Sequence, residues 1–161
     1  MKGAPMVILL VEDEPAHFEI VKRNFETSRL ANRLMWVDDG QAALDYLYRN
    51  NEFGDPDKFP RPNLILLDLR LPKVDGLEVL KTFKSDPGLN DIPVVILTTS
   101  SSDSDMIRAC NSHANGYIVK PVDFSKLSKV IDNLGYYRIT AEPASPPDFV
   151  RAGGYASEEK I

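Results

Sequence analysis

The chain has 161 residues, 43% of them hydrophobic, the size and composition of one domain with a single core. Its formal net charge of -5 weighs against direct contact with nucleic acid, which needs clustered Lys and Arg, and its one cysteine, Cys110, rules out an intrachain disulfide and suits a reducing cytoplasm. The first apolar run, 6–11, stops at Glu12-Asp13-Glu14, and no later run approaches the ~20 residues of a membrane span, so the sequence reads as soluble and cytoplasmic.

Taken in chain order, the first strand is predicted at 6–11 (MVILLV). A helix follows Pro15, a residue favoured in a first helical turn, with Phe18, Val21 and Phe25 on one face. A weaker apolar run at 34–37 predicts the second strand, and Ala43, Leu44, Leu47 and Tyr48 the stripe of a second helix. Residues 50–62 (NNEFGDPDKFPRP) form an extended turn-rich loop, longer than the usual two to six residues of such links, read as a surface loop with a partner-contact role as the alternative. The third strand is predicted at 64–67, and Val79, Leu80 and Phe83 give the third helix, ending before Pro87-Gly88. The fourth strand is predicted at 94–97. A fourth helix at 103–113 carries Met106, Ile107 and Cys110 after a Ser102-Asp103 cap, and the fifth strand is predicted at 117–119. A last helix at 124–137 carries Phe124, Leu127, Val130, Ile131 and Leu134 after Asp123. Residues 140–161, with five prolines and glycines, read as a C-terminal tail to a domain of 1–139.

The strand runs are short, aliphatic and without clear alternation, as in strands buried on both faces. Five strand–helix repeats argue for an α/β fold, a doubly wound parallel sheet with helices on both faces. In such sheets the working groups gather at the carboxyl ends of the strands. The first strand here ends in Glu12-Asp13, the third in Asp68, the fourth in Thr98-Thr99-Ser100 and the fifth in Lys120-Pro121. A parallel sheet puts these on one edge: three carboxylates, a hydroxyl and an ammonium. Crowded carboxylates raise one another's pKa values, and a hard divalent cation such as Mg2+, which takes oxygen ligands and shares phosphate oxygens, relieves the conflict. Such a set has what phosphoryl transfer needs: a nucleophilic carboxylate, charge neutralisation and donors aimed at phosphoryl oxygens. His17 and His113 stand apart from each other and from any cysteine pair, and read as surface or core-edge residues rather than ligands.

Four segments, LLVEDEP (9–15), LILLDLRLPKVDGLEVL (64–80), PVVILTT (93–99) and GYIVKP (116–121), together resemble the receiver domains of two-component response regulators, over about 6–134. The resemblance implies a flavodoxin-like (βα)5 sheet in the order 2-1-3-4-5. It implies that Asp68 is phosphorylated and that Asp13 and Asp68 bind Mg2+ directly, with Glu12 acting through water and Arg70 through its backbone carbonyl. Thr98 and Lys120 would hold the phosphoryl group, Tyr117 would be the switch aromatic, Pro121 would follow a cis peptide, and Gly76 would serve the turn after the third strand. Thr99 neighbours the site, and the side chains of Arg70 and Ser100 would flank it and bear on phosphoryl lifetime.

The long loop, and the absence of a following output domain, make the chain most similar to single-domain regulators paired with phytochrome-type sensor histidine kinases. A homodimer is expected through the face of 103–113, 117–119 and 124–137, with Leu134, Tyr136, Tyr137 and Ile139 at its end. The expected protein is no enzyme beyond self-phosphorylation from a phosphodonor and autodephosphorylation. An aspartyl-phosphate phosphatase fits poorly, because Arg70 stands where its second aspartate belongs, and a nucleotide-binding loop fails because Glu12-Asp13-Glu14-Pro15 holds no glycine. The remaining alternative is a phosphorylation-independent adaptor or dimerisation module.

Overall fold

In the computed structural model, residues 6–28, 33–99, 114–133 and 148–151 are described. The strands are β1 (Val7–Val11), β2 (Arg33–Val37), β3 (Leu64–Asp68), β4 (Val94–Thr98), β5 (Gly116–Val119) and β6 (Asp148–Arg151). The helices are α1 (Pro15–Ser28), α2 (Gly40–Tyr48), α3 (Gly76–Lys84) and α4 (Phe124–Asn133), with a 3-10 turn at Asn51–Gly54. The helix expected at 103–113, together with Ser100, His113, Leu134, Tyr136, Tyr137 and Ile139, lies outside the described residues. Among the described residues no helix is long and apolar enough to cross a membrane.

The sheet runs β5-β4-β3-β1-β2-β6, every pairing parallel. The first five strands thus take the expected order 2-1-3-4-5. The sixth comes from the segment read as a tail: Asp148–Arg151 pairs with β2, Arg33 facing Asp148 and Trp36 facing Arg151. It occupies backbone hydrogen-bonding groups that β2 would otherwise leave open as a sheet edge. Four residues following two prolines carry too short a pattern to read as a strand from sequence.

Alternate residues of each strand serve opposite faces, and both faces are covered, which explains the unbroken apolar runs. Leu9, Val11, Met35, Ile65, Leu67 and Ile96 pack with α2 and α3 side chains such as Ala43, Leu80 and Phe83. Ile8, Leu10, Leu34, Leu66, Val95 and Leu97 pack with Phe18, Val21 and Phe25 of α1 and Leu127 of α4. Side chains cap three of the helices: Asp39 accepts from Ala42 N at 2.7 Å, Asp75 from Leu77 N at 3.2 Å and Asp123 from Lys126 N at 2.9 Å.

Two asparagines extend the ladder at the amino ends of the strands. Asn63 Oδ1 accepts from Val7 N at 2.8 Å while Asn63 N donates to Val7 O at 2.7 Å. Asn115 repeats the arrangement on Val94, at 2.9 and 2.8 Å.

The 50–62 loop is packed rather than merely superficial. Phe53 is buried, and its ring, Phe59 and Tyr46 form a trio with centroids 5.0–5.9 Å apart. Tyr46 donates its hydroxyl hydrogen to Pro60 O at 2.7 Å, and burial raises its phenol pKa well above the ordinary value. Arg61 ties the far end down through Gly88 O (3.0 Å) and Asp91 (2.7 Å).

Candidate functional site

Strands β1, β3, β4 and β5 each stop where the next residue turns away from the sheet, and these ends form one shallow acidic depression. Glu12 and Asp13 follow β1, and Asp68 and Thr98 close β3 and β4. Lys120 follows β5, held by its amide donating to Thr98 O at 2.7 Å. Glu12, Asp68 and Thr98 are buried, and Asp13 is exposed at the rim. One carboxylate oxygen from each of Glu12, Asp13 and Asp68 falls in a group spanning no more than 4.8 Å.

Lys120 crosses this depression. Its Nζ donates to Asp68 Oδ2 at 2.9 Å and forms an ion pair with Glu12 Oε1 at 2.7 Å. The other oxygen of Asp68, Oδ1, accepts from Arg70 N at 2.9 Å, so both oxygens are fixed in direction. Burial pushes the Glu12 carboxyl pKa up, the nearby Asp68 adds to this, and Lys120 opposes it. For Lys120 burial disfavours the charge, but the carboxylates of Glu12 and Asp68 outweigh it and the ammonium pKa ends above its ordinary value.

Local structure sets these side chains. Gly76 opens α3 against the strand end: a Cβ there would lie 2.4 Å from Asp68 O and 2.5 Å from Leu69 Cα. Only a residue without a side chain permits that approach. Gly40, not singled out from sequence, is tighter still, with a Cβ falling 1.8 Å from Val74 O. The Lys120–Pro121 peptide is cis, as expected. Arg70 and Thr99 are exposed at the rim, and Tyr117 is 52% exposed, its ring on the outer surface.

Two contributors were missed by sequence reasoning. Trp36 on β2 donates from Nε1 to Glu12 O at 2.7 Å, and its indole stacks on Phe18 at 4.0 Å and 6°. His17, assigned to the surface or core edge, is partly exposed, yet its Nδ1 sits 2.9 Å from Lys120 Nζ and 3.3 Å from Glu12 Oε2. No local signal pointed to either, since Trp36 and Lys120 lie 24 and 103 residues from the groups they meet.

Residues 8–132 match the family described as the response regulator receiver domain. The probable methanogenesis regulatory protein FilR2 of Methanothrix harundinacea (strain 6Ac) is 47% identical over 133 residues, 83% of each chain. Response regulator Rcp1 of Synechocystis sp. (strain ATCC 27184 / PCC 6803 / Kazusa) is 43% identical over 130 residues, 81% of this chain and 86% of its own. The Mn2+-bound structure of Rcp1 superposes with a TM-score of 0.67 at 40% identity, covering 86% of this chain and 99% of that one. The bacteriophytochrome response regulator RtBRR superposes with a TM-score of 0.76 at 42% identity, covering 89% and 85%.

Proposed function

The chain belongs to the response-regulator receiver family, and from that premise we propose that Asp68 takes a phosphoryl group from a sensor histidine kinase of the phytochrome-associated kind, in a Mg2+-dependent reaction. One observation carries the reading: a buried carboxylate, both oxygens held by donors, lies between two further carboxylates and an ammonium.

The donor set fits the cation. Three carboxylates whose oxygens group within 4.8 Å suit a hard divalent ion with oxygen ligands. Asp13 and Asp68 would hold it directly, Glu12 through water, and Arg70 through its backbone carbonyl. Bound there, Mg2+ supplies positive charge against the carboxylates and the phosphoryl oxygens. The Mn2+-bound Rcp1 structure supports a divalent ion in a relative's chain.

An Asp68 carboxylate oxygen attacks phosphorus in line, forming an acyl phosphate. The P–N bond of the donor phosphohistidine breaks, its electron pair stays on the imidazole, and the imidazole recovers a proton from solvent. Lys120 pairs with one phosphoryl oxygen and Thr98 donates its hydroxyl hydrogen to another. Attack by water on phosphorus later releases phosphate and restores Asp68.

Output leaves by the surface. Thr98 moves toward the phosphoryl group, and the outward ring of Tyr117 turns into the space it vacates. The β5/α4 face is thereby reshaped, and it is the face on which a second copy of the chain would sit. Sedimentation with and without beryllofluoride tests the dimer, and a monomer in both states removes it.

Acetyl phosphate with Mg2+ should add one phosphoryl group, abolished by EDTA and by Asp68→Asn. Equal labelling of Asp68→Asn refutes the assignment. A parent chain that never labels leaves a phosphorylation-independent adaptor.

A further inference from the structure

His17 belongs to none of the roles set out above, yet it touches the residue on which phosphoryl binding depends. Lys120 Nζ meets three neighbours: Asp68 Oδ2 and His17 Nδ1, each at 2.9 Å, and Glu12 Oε1 at 2.7 Å. An ammonium only donates, so His17 Nδ1 accepts through its lone pair and the ring hydrogen lies on Nε2. The 3.3 Å approach of Nδ1 to Glu12 Oε2 is then a contact rather than a second hydrogen bond, because both atoms are acceptors and neither carries a hydrogen. Glu12 Oε2 has a donor of its own in Glu14 N at 3.1 Å.

The ring is aimed by its surroundings. His17 stands in the first turn of α1, its amide donating to Glu14 O at 3.0 Å. The next residue, Phe18, is fixed by its stack on Trp36, which itself donates to the backbone of Glu12. Together, His17, Ile20, Val21, Leu97 and Val122 wall a small cavity beside Lys120.

The three neighbours of the ammonium differ in charge. Glu12 and Asp68 neutralise Lys120 as they hold it, and both change partners when Asp68 reacts. A neutral imidazole holds the ammonium while leaving its charge available to an incoming phosphoryl oxygen. We propose that His17 is a positioning residue for phosphoryl transfer: Nδ1 anchors Lys120 from the side away from the reaction, so that the ammonium stays in place when Asp68 and Glu12 release it. This rests on the assignment of Asp68 as phosphoacceptor.

The test compares the parent with His17→Ala, His17→Phe and His17→Asn. Phenylalanine keeps the ring without the acceptor, and asparagine offers an acceptor oxygen at the same reach. The side chain is 37% exposed, so all three should fold, as circular dichroism will verify. Labelling by acetyl phosphate at saturating Mg2+ gives the limiting rate, and fluorescence of Trp36, the chain's one tryptophan, gives the Mg2+ midpoint independently of turnover. Alanine and phenylalanine should slow the limiting rate by about three- to tenfold, the scale of one lost hydrogen bond. The Mg2+ midpoint should stay within about twofold, and asparagine should recover most of the rate. Unchanged rates in alanine and phenylalanine, an asparagine variant as slow as alanine, or a rate loss that tracks a weakened Mg2+ midpoint would each overturn the proposal while leaving Asp68 in place. A parent chain that takes no label overturns the Asp68 assignment and this role with it.

Discussion

Replacing Trp36 with phenylalanine isolates the brace behind the acidic turn. The indole is 3% exposed, stacks on Phe18 and donates one 2.7 Å hydrogen bond to Glu12 O. Phenylalanine keeps an aromatic face for Phe18 but loses the N–H and part of the ring volume. Losing that donor leaves the buried Glu12 carbonyl unsatisfied, which costs about 1–2 kcal/mol. The void left by the smaller ring adds about 1 kcal/mol, well below the cost of full truncation. The expected loss is about 2–3 kcal/mol, or roughly 5–10 °C in Tm for a domain of this size. Because the carbonyl belongs to the residue between β1 and Asp13, Mg2+ binding should weaken as well. Urea unfolding gives the first number, and isothermal titration calorimetry gives the second without relying on the deleted fluorophore. Phe18→Leu is the control, since it removes the stack and keeps the hydrogen bond: it should lose stability with little change in Mg2+ affinity. A Trp36→Phe protein that binds Mg2+ as the parent does would refute the brace, whatever its stability.

Gly76→Ala should cost about 2 kcal/mol or more, because the new Cβ would meet backbone that forms the turn after Asp68, and labelling should slow along with the urea midpoint; an unperturbed alanine variant would show that the turn yields. Asp13→Ala should weaken Mg2+ binding at least tenfold with little effect on stability, because Asp13 is exposed and its charge matters only to the cation; calorimetry decides, and parental affinity would remove Asp13 from the ligand set. Tyr46 should make the fold labile in alkali. Burial raises its folded pKa above the ordinary value of 10.0, so above about pH 10 the unfolded chain ionises while the folded one keeps its proton, and stability falls by up to about 1.4 kcal/mol per pH unit. Urea midpoints between about pH 9 and 11 should fall less steeply in Tyr46→Phe than in the parent, and parallel slopes would contradict this.

The acidic edge was legible because parallel strands deliver their last residues to one side: once the runs before Glu12, Asp68, Thr98 and Lys120 are strands, their grouping follows. What the runs do not encode is what comes from outside them. Trp36 reads as one more buried strand residue, and nothing in its neighbours says that its N–H reaches the turn after β1. His17 shows the same limit, since its partner depends on how α1 lies over β5. The 50–62 loop is rich in Asp, Pro and Gly, which hid that Phe53 and Phe59 complete a cluster around Tyr46. The strand Asp148–Arg151 has a partner only because β2 would otherwise be an edge.

The paired asparagines have a bearing on how such a site can be altered. Asn63 locks the start of β1 to the start of β3, and Asn115 does the same for β4 and β5. Both act at the end of the sheet remote from Asp68, roughly 15 Å away for a five-residue strand. They work like dowel pins in a jig. In a parallel pair a slip of one residue would turn Asp68 or Lys120 to the opposite face, and the pins forbid that slip without touching the chemistry. Alignment and reactivity are thus entrusted to opposite rims of the sheet, so residues around the acidic depression can be exchanged to retune the site while the strands stay in step.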